Sequence, residues 1–167
     1  SLYECLSDYI EASAQVTIKW PNDILLNQKK VAGILLETIA VAENKIALSI
    51  GFGVNLLSYP RASELEESAF DPTSILTETG VVIDPIELLN NLAEKFSKYE
   101  DTLQQEGFTE LRKLLLDRIH GIGSQITVRT TNETIKGVFS NINIDGHLIL
   151  KTGRTKRAIA AADVYFD

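Results

Sequence analysis

Methionine is missing altogether from this sequence, cysteine and tryptophan occur once each, and aromatic residues make up only 7% of it. A lone cysteine, Cys5, excludes an internal disulfide and suits a reducing compartment. No apolar run reaches the roughly 20 residues that a bilayer-spanning helix needs, and no charged-then-apolar leader opens the chain. The expectation is a soluble, cytoplasmic protein. Positive charge is also scarce: 16 Lys and Arg stand against 23 Asp and Glu, a net charge of -7, which argues against general binding to nucleic acid or anionic membranes. No cysteine-histidine cluster, Ser/His/Asp arrangement or phosphate-binding loop presents itself, and neither His120 nor His147 has the neighbours of a metal or catalytic site. Both histidines are expected at the surface. The missing methionine, with Ser1-Leu2 opening in what reads as the body of a helix, leads to the expectation that this is the C-terminal part of a longer protein.

What is there begins with size. At 167 residues and 44% hydrophobic, the chain can bury a real core and could form one domain or a domain with a small appendix. The stretch Lys19 to Glu37, K-W-P-N-D-I-L-L-N-Q-K-K-V-A-G-I-L-L-E, reads as two apolar strands, Ile24 to Leu26 and Val31 to Leu36, joined by a polar turn at Asn27, Gln28 and Lys29. Around this hairpin gather Lys19, Asn22, Asp23 and Lys30, with Gly33 just inside the second strand, where a missing side chain lets another molecule approach the backbone. Cations, an amide, a carboxylate and bare backbone are the ingredients of a nucleotide site.

Leu2, Leu6, Tyr9 and Ile10 predict an amphipathic helix over residues 1 to about 12, with Cys5 as buried filler. Residues 16 to 20 alternate as a half-buried strand. After Glu37 the apolar run continues to Val41, turns at Glu43-Asn44 and returns through Lys45 to Phe52, which points to an antiparallel or mixed sheet. It ends in Gly51-Phe52-Gly53-Val54-Asn55, a weak glycine pair whose neighbouring amide is suited to reading an adenine edge. Residues 56 to 74 read as a lid, with the acidic run Glu64, Glu66 and Glu67 solvated and contacts expected at Phe70, Thr73 and Ser74. Asp84-Pro85-Ile86-Glu87 is a well-formed helix start, and two scaffold helices follow on either side of Gly107. From Gln125 onward the pattern is β throughout, in four or five short strands that predict a small SH3-like barrel. Lys151, Arg154, Lys156 and Arg157 surround one hairpin tip, either as a solvated edge or as a docking patch for an acidic partner.

Three ordered motifs, Lys19-Trp20-Pro21-Asn22-Asp23, Lys30-Val31-Ala32-Gly33-Ile34-Leu35-Leu36-Glu37 and Gly51-Phe52-Gly53-Val54-Asn55, resemble the C-terminal half of the catalytic domain of biotin protein ligases. Gly137-Val138-Phe139, Asp145-Gly146 and Ala162-Asp163-Val164 resemble the C-terminal domain of the same family. The resemblance implies an α+β fold: a class II aminoacyl-tRNA synthetase-like mixed or antiparallel sheet with helices over residues 1–120, then an SH3-like C-terminal domain over 121–167. It implies an enzyme that uses ATP and Mg²⁺ to activate biotin as biotinyl-5'-AMP. The biotin is then transferred to a lysine of a biotin carboxyl carrier protein, and a homodimer is possible within the family.

Residue by residue, the resemblance makes Lys30 the catalytic group, between the biotin carboxylate and the α-phosphate. Gly33, Leu35, Gly51 and Gly53 would floor the biotin site with it. Asn22 and Asn55 would hold the adenine, Asp23 would bind Mg²⁺, and Lys19 is either a second phosphate ligand or a locally paired charge. Trp20 is expected to pack, and Glu37 to belong to the sheet or a dimer surface. The family's glycine- and arginine-rich segment, which clamps carboxylate and phosphates, is not found here, so the chain alone is expected to be inactive. A lipoate-type ligase and an adenylate-binding relic without turnover stay open as alternatives.

Overall fold

The computed structural model describes residues 1–11, 14–42, 45–61 and 70–166. The turn expected at Glu43-Asn44 and the acidic run Glu64, Glu66 and Glu67 lie outside these residues. Among the described residues, two antiparallel sheets and four helices make an α+β fold. The first sheet has the order β1-β2-β3-β4, from β1 (Val16–Lys19), β2 (Asp23–Leu26), β3 (Lys29–Ala42) and β4 (Lys45–Val54). Its helices are α1 (Leu2–Ser7), α2 (Ile75–Thr79), α3 (Pro85–Glu106) and α4 (Phe108–Arg118). The second sheet, order β8-β7-β6-β5-β9, is built from β5 (Gln125–Arg129), β6 (Thr134–Ile142), β7 (Leu148–Thr152), β8 (Thr155–Ile159) and β9 (Asp163–Phe166).

Helix α1 is shorter than the expected twelve residues, and α2 follows directly on the stretch read as a lid. The start of α3 forms as its sequence requires. Asp84 Oδ1 accepts from the amides of Ile86 and Glu87 at 2.8 and 3.0 Å, and Pro85 needs no such partner. Gly107, at φ 75°, ends the helix and begins α4.

Register decides which face of the first sheet carries chemistry. Ile18, Ile24, Ala32 and Val54 align across the four strands and pack into one core with Leu2, Cys5, Leu6, Leu88 and Leu92 from the helices. The neighbouring rung, Lys19, Asp23, Gly33 and Gly53, faces the other way because side chains alternate along a strand. Lys30 belongs by parity to the buried face. A bulge prevents this: Ile24 pairs with Ala32 but Leu25 pairs with Lys30, so Val31 is the extra residue and Lys30 turns onto the Asp23 face.

The second core contains Ile126, Val128, Phe139, Ile142, Leu148 and Leu150, together with Trp20 and Ile119 from the first unit. Trp20 packs as expected and its indole N–H donates to the Gly146 carbonyl at 3.0 Å. Cys5 is fully buried, and burial pushes its thiol pKa up. Among the described residues no helix is long and apolar enough to cross a membrane.

Candidate active site

A cavity of about 1060 Å³ opens over the Lys19-Asp23-Gly33-Gly53 rung, between the first sheet and one edge of the second. Seven of the predicted site residues line it: Lys19, Asn22, Asp23, Lys30, Gly33, Gly53 and Asn55. Leu35 and Gly51 do not. They oppose each other one rung further along the same face, where Leu35 is 59% exposed.

Asp23 is the electrostatic centre. It is buried, and its two oxygens are shared between two ammonium groups, Lys30 Nζ at 2.7 Å on Oδ1 and Lys19 Nζ at 3.3 Å on Oδ2. Lys19 is almost as buried as Asp23, whereas the Lys30 side chain is 40% exposed. A carboxylate between two cations leaves one net positive charge, and the more accessible cation, Lys30, offers it to the cavity. Gly33 leaves bare backbone beside the pair: a Cβ there would be in ordinary contact, 3.5 Å from Asp23 Oδ1 and 3.7 Å from Lys30 Nζ.

In the structure both Asp23 oxygens face ammonium groups, and no group of three potential His, Cys, Asp or Glu ligands exists among the described residues. A Mg²⁺ ion that arrives with a triphosphate takes most of its oxygen ligands from phosphate and water and needs only one or two carboxylates from the protein.

Both asparagines spend part of their amide on the framework. Asn22 Nδ2 donates to the Ile34 carbonyl at 2.8 Å and Asn55 Nδ2 to the Thr73 carbonyl at 2.9 Å. Each amide therefore has a set orientation and keeps further hydrogen-bonding capacity.

Thr73 and Ser74 are anchors rather than contacts of a moving lid. Both are buried, Ser74 caps α2 by accepting from the Thr77 amide, and Thr73 donates to Glu78. Phe70 lines the cavity and packs edge-on against His120, 5.3 Å between ring centres. His120 also meets Phe166 at 4.8 Å, so it is half-buried in an aromatic cluster, not at the surface, and burial lowers its pKa. At the basic tip both terminal guanidinium nitrogens of Arg157 donate to the Glu133 carboxylate in an exposed ion pair.

Sequence reasoning missed the second wall of the cavity, formed by Arg129, Thr130 and Thr131 at the end of β5 and by Ala162 to Tyr165 leading into β9. Ala162-Asp163-Val164 stood out only as a motif of the C-terminal domain, and nothing local ties either segment to the site, which they reach only through the docking of the second sheet.

Against known proteins, residues 2–55 match the biotin/lipoate A/B protein ligase family and residues 121–167 match the biotin protein ligase C-terminal domain. The chain is 39% identical over 166 residues to a biotin–[acetyl-CoA-carboxylase] ligase of Paracoccus denitrificans, covering 99% of this chain and 69% of that protein. To the bifunctional ligase/repressor BirA of Bacillus subtilis it is 34% identical over 92% of its length, spanning about half (47%) of that relative. Among solved structures, biotin protein ligase from Aquifex aeolicus in complex with biotin and ATP superimposes with a TM-score of 0.80 at 19% identity, over 99% of this chain and 67% of that one.

Proposed function

The chain belongs to the biotin protein ligase family, and from that premise we propose that its cavity, in the complete protein, activates biotin with ATP and passes it to a lysine of a biotin carboxyl carrier protein. The observation that carries this reading is the Lys30-Asp23-Lys19 cluster above a glycine-bared rung of the sheet. A biotin carboxylate oxygen attacks the α-phosphorus of ATP, the bond to pyrophosphate breaks, and biotinyl-5'-AMP forms. In the second step the carrier lysine amine attacks the acyl carbon, AMP leaves, and the amine proton passes to solvent.

Lys30 offsets the charge of carboxylate and α-phosphate as they approach, which is where a preorganised cation lowers the barrier most. Asp23 keeps that ammonium aimed. Lys19 serves as a second cation behind it, and Asn22 and Asn55 present set amides to the adenine. Gly33 and Gly53 form the floor near the reacting carboxylate, with Gly51 and Leu35 extending the biotin side of the same face. Mg²⁺ would arrive with the triphosphate, held on phosphate oxygens, with Asp23 as the carboxylate from the protein.

The finer fold reading belongs here too. The first unit, residues 1–120, is read as part of a class II aminoacyl-tRNA synthetase-like catalytic domain, and residues 121–167 as an SH3-like barrel. The family match over 121–167 supports that division, although Trp20 and Ile119 in the second core bind the two units closely. Biotin is favoured over lipoate because the C-terminal match is to biotin ligases, while the match over 2–55 covers both kinds.

The test is transfer by the full-length gene product, with ATP, Mg²⁺, a biotin carrier domain and either biotin or lipoate, run beside Lys30→Ala. ATP-dependent biotin on the carrier, lost in the variant, is the expected result. Lipoate label would move the reading to the other ligase, and no label from a folded protein would leave an adenylate-binding relic.

A further inference from the structure

The hydrogen bonds that fix Lys30 and Asn55 converge on a residue outside the cavity lining. The Lys30 amide donates to the Asp71 carbonyl at 2.8 Å, and the Lys30 carbonyl accepts from the Thr73 amide at 2.9 Å. Asn55 Nδ2 is held by the Thr73 carbonyl. One short segment, Asp71 to Thr73, thus grips both. Thr73 is in turn tied by its side chain, Oγ1 donating to Glu78 Oε1 at 2.7 Å. The same carboxylate accepts from Lys29 Nζ and from Asn27 Nδ2, each at 2.9 Å.

Its three partners are the first residue of the β2–β3 turn, the residue before Lys30, and the anchor of the gripping segment. Asn27 and Gln28 both hold positive φ, 49° and 63°; asparagine tolerates this but glutamine seldom adopts it, so the turn gains from outside support. Charge-assisted bonds of this kind are about twice as strong as neutral ones. Glu78 itself sits on α2, a five-residue helix capped by Ser74 and ended by Gly80 at φ 74°.

We infer that Glu78 is a positioning residue for the ligase site, clamping the Asn27–Lys30 turn to the Asp71–Thr73 segment and thereby setting where Lys30 and Asn55 stand. This rests on the role given to Lys30 above. Removing the carboxylate frees the turn and the segment to move apart, and a shift of about 1 Å at a reacting group can cost about 100-fold in rate.

The experiment compares wild-type, Glu78→Ala, Glu78→Gln and Lys30→Ala forms of the full-length protein by amide hydrogen exchange and by biotin-dependent ATP–pyrophosphate exchange. In Glu78→Ala the Lys30 and Thr73 amides should exchange at least about tenfold faster, while the Ile34 amide, which donates to the Asn22 carbonyl in the same sheet, keeps its protection. Turnover should fall about 10- to 100-fold with the biotin KM within a factor of about three, and Glu78→Gln, which keeps acceptor oxygen but not charge, should recover part of it. Unchanged exchange at Lys30 and Thr73, or an equal loss of protection at Ile34, overturns the inference, as does wild-type turnover in Glu78→Ala. Full activity in Lys30→Ala would instead sink the reading of the site, and the exchange data would still decide whether Glu78 holds the segment.

Discussion

The two ends of the long β3–β4 hairpin share strands, register and much of their composition, yet they live in opposite surroundings. At the near end Ala32, Ile34, Phe52 and Val54 pack on the helices from one side, and Asp23 and Lys30 fill the other. At the far end the same core-facing rows run on through Leu36, Leu48 and Ile46, which are 60%, 57% and 74% exposed. Three exposed large apolar residues in these rows make an apolar face of the kind that soluble surfaces seldom leave uncovered. Alternation alone therefore makes a strand, but the site exists only where neighbouring elements hold the backbone from both sides.

That contrast can be broken most severely at Lys30. Lys30→Ala in the full-length protein should cut adenylate formation about 10²- to 10³-fold with little loss of folded protein, measured by pyrophosphate exchange beside thermal unfolding. The clamp at the turn comes next. Hydrogen bonds from Asn27, Lys29 and Thr73 hold the Glu78 carboxyl at a pKa of about 2, against an ordinary 4.5. Because the folded-state value is the lower one, the stabilisation is present in full above pH 4.5 and is lost as pH falls from there towards 2. It amounts to about 3 kcal/mol at most. Unfolding midpoints of wild type and Glu78→Gln should therefore approach each other as pH falls from about 4.5 towards 2, and parallel curves would show that the carboxylate is not what acid disarms.

A smaller effect is expected at the seam between the two sheets. Trp20→Phe keeps the ring but deletes the indole donor to Gly146, leaving a carbonyl short of one bond at a cost of about 1 kcal/mol, readable in urea unfolding. Smallest is the far end of the hairpin. Ile46→Lys in the 167-residue chain should change stability by less than about 0.5 kcal/mol. A clearly larger loss on making the same change in a longer form of the protein would show that the far end is covered there, and would erase the contrast.

Much of the near end was legible in advance. Alternation placed Lys19 and the β2–β3 hairpin, the motifs brought Asn22, Asp23, Lys30, Gly33, Gly53 and Asn55 into one cavity, and the Asp84 to Glu87 start of α3 formed as read. Three things were not legible, each because it depends on contacts distant in sequence. The bulge at Val31 turns Lys30 onto the site face, yet one extra residue leaves no mark in an unbroken apolar run. Helix α2 went unread because five residues show barely one period of a helical pattern, and its worth lies in Glu78 reaching Asn27 and Lys29 some fifty residues away. His120 was misjudged because its packing comes from Phe70 and Phe166, one on each side of it in sequence and neither nearby.

The single tryptophan of the chain carries a practical consequence. Its ring is nearly sealed from water at the junction of the two cores, it follows Lys19 directly, and its N–H is committed to the second sheet. With no other indole to obscure it, Trp20 is a native fluorophore placed on the seam between the cavity and the small β unit. Its emission maximum should redden when that seam is exposed to water, so an unlabelled protein can report the integrity of its own seam in a cuvette.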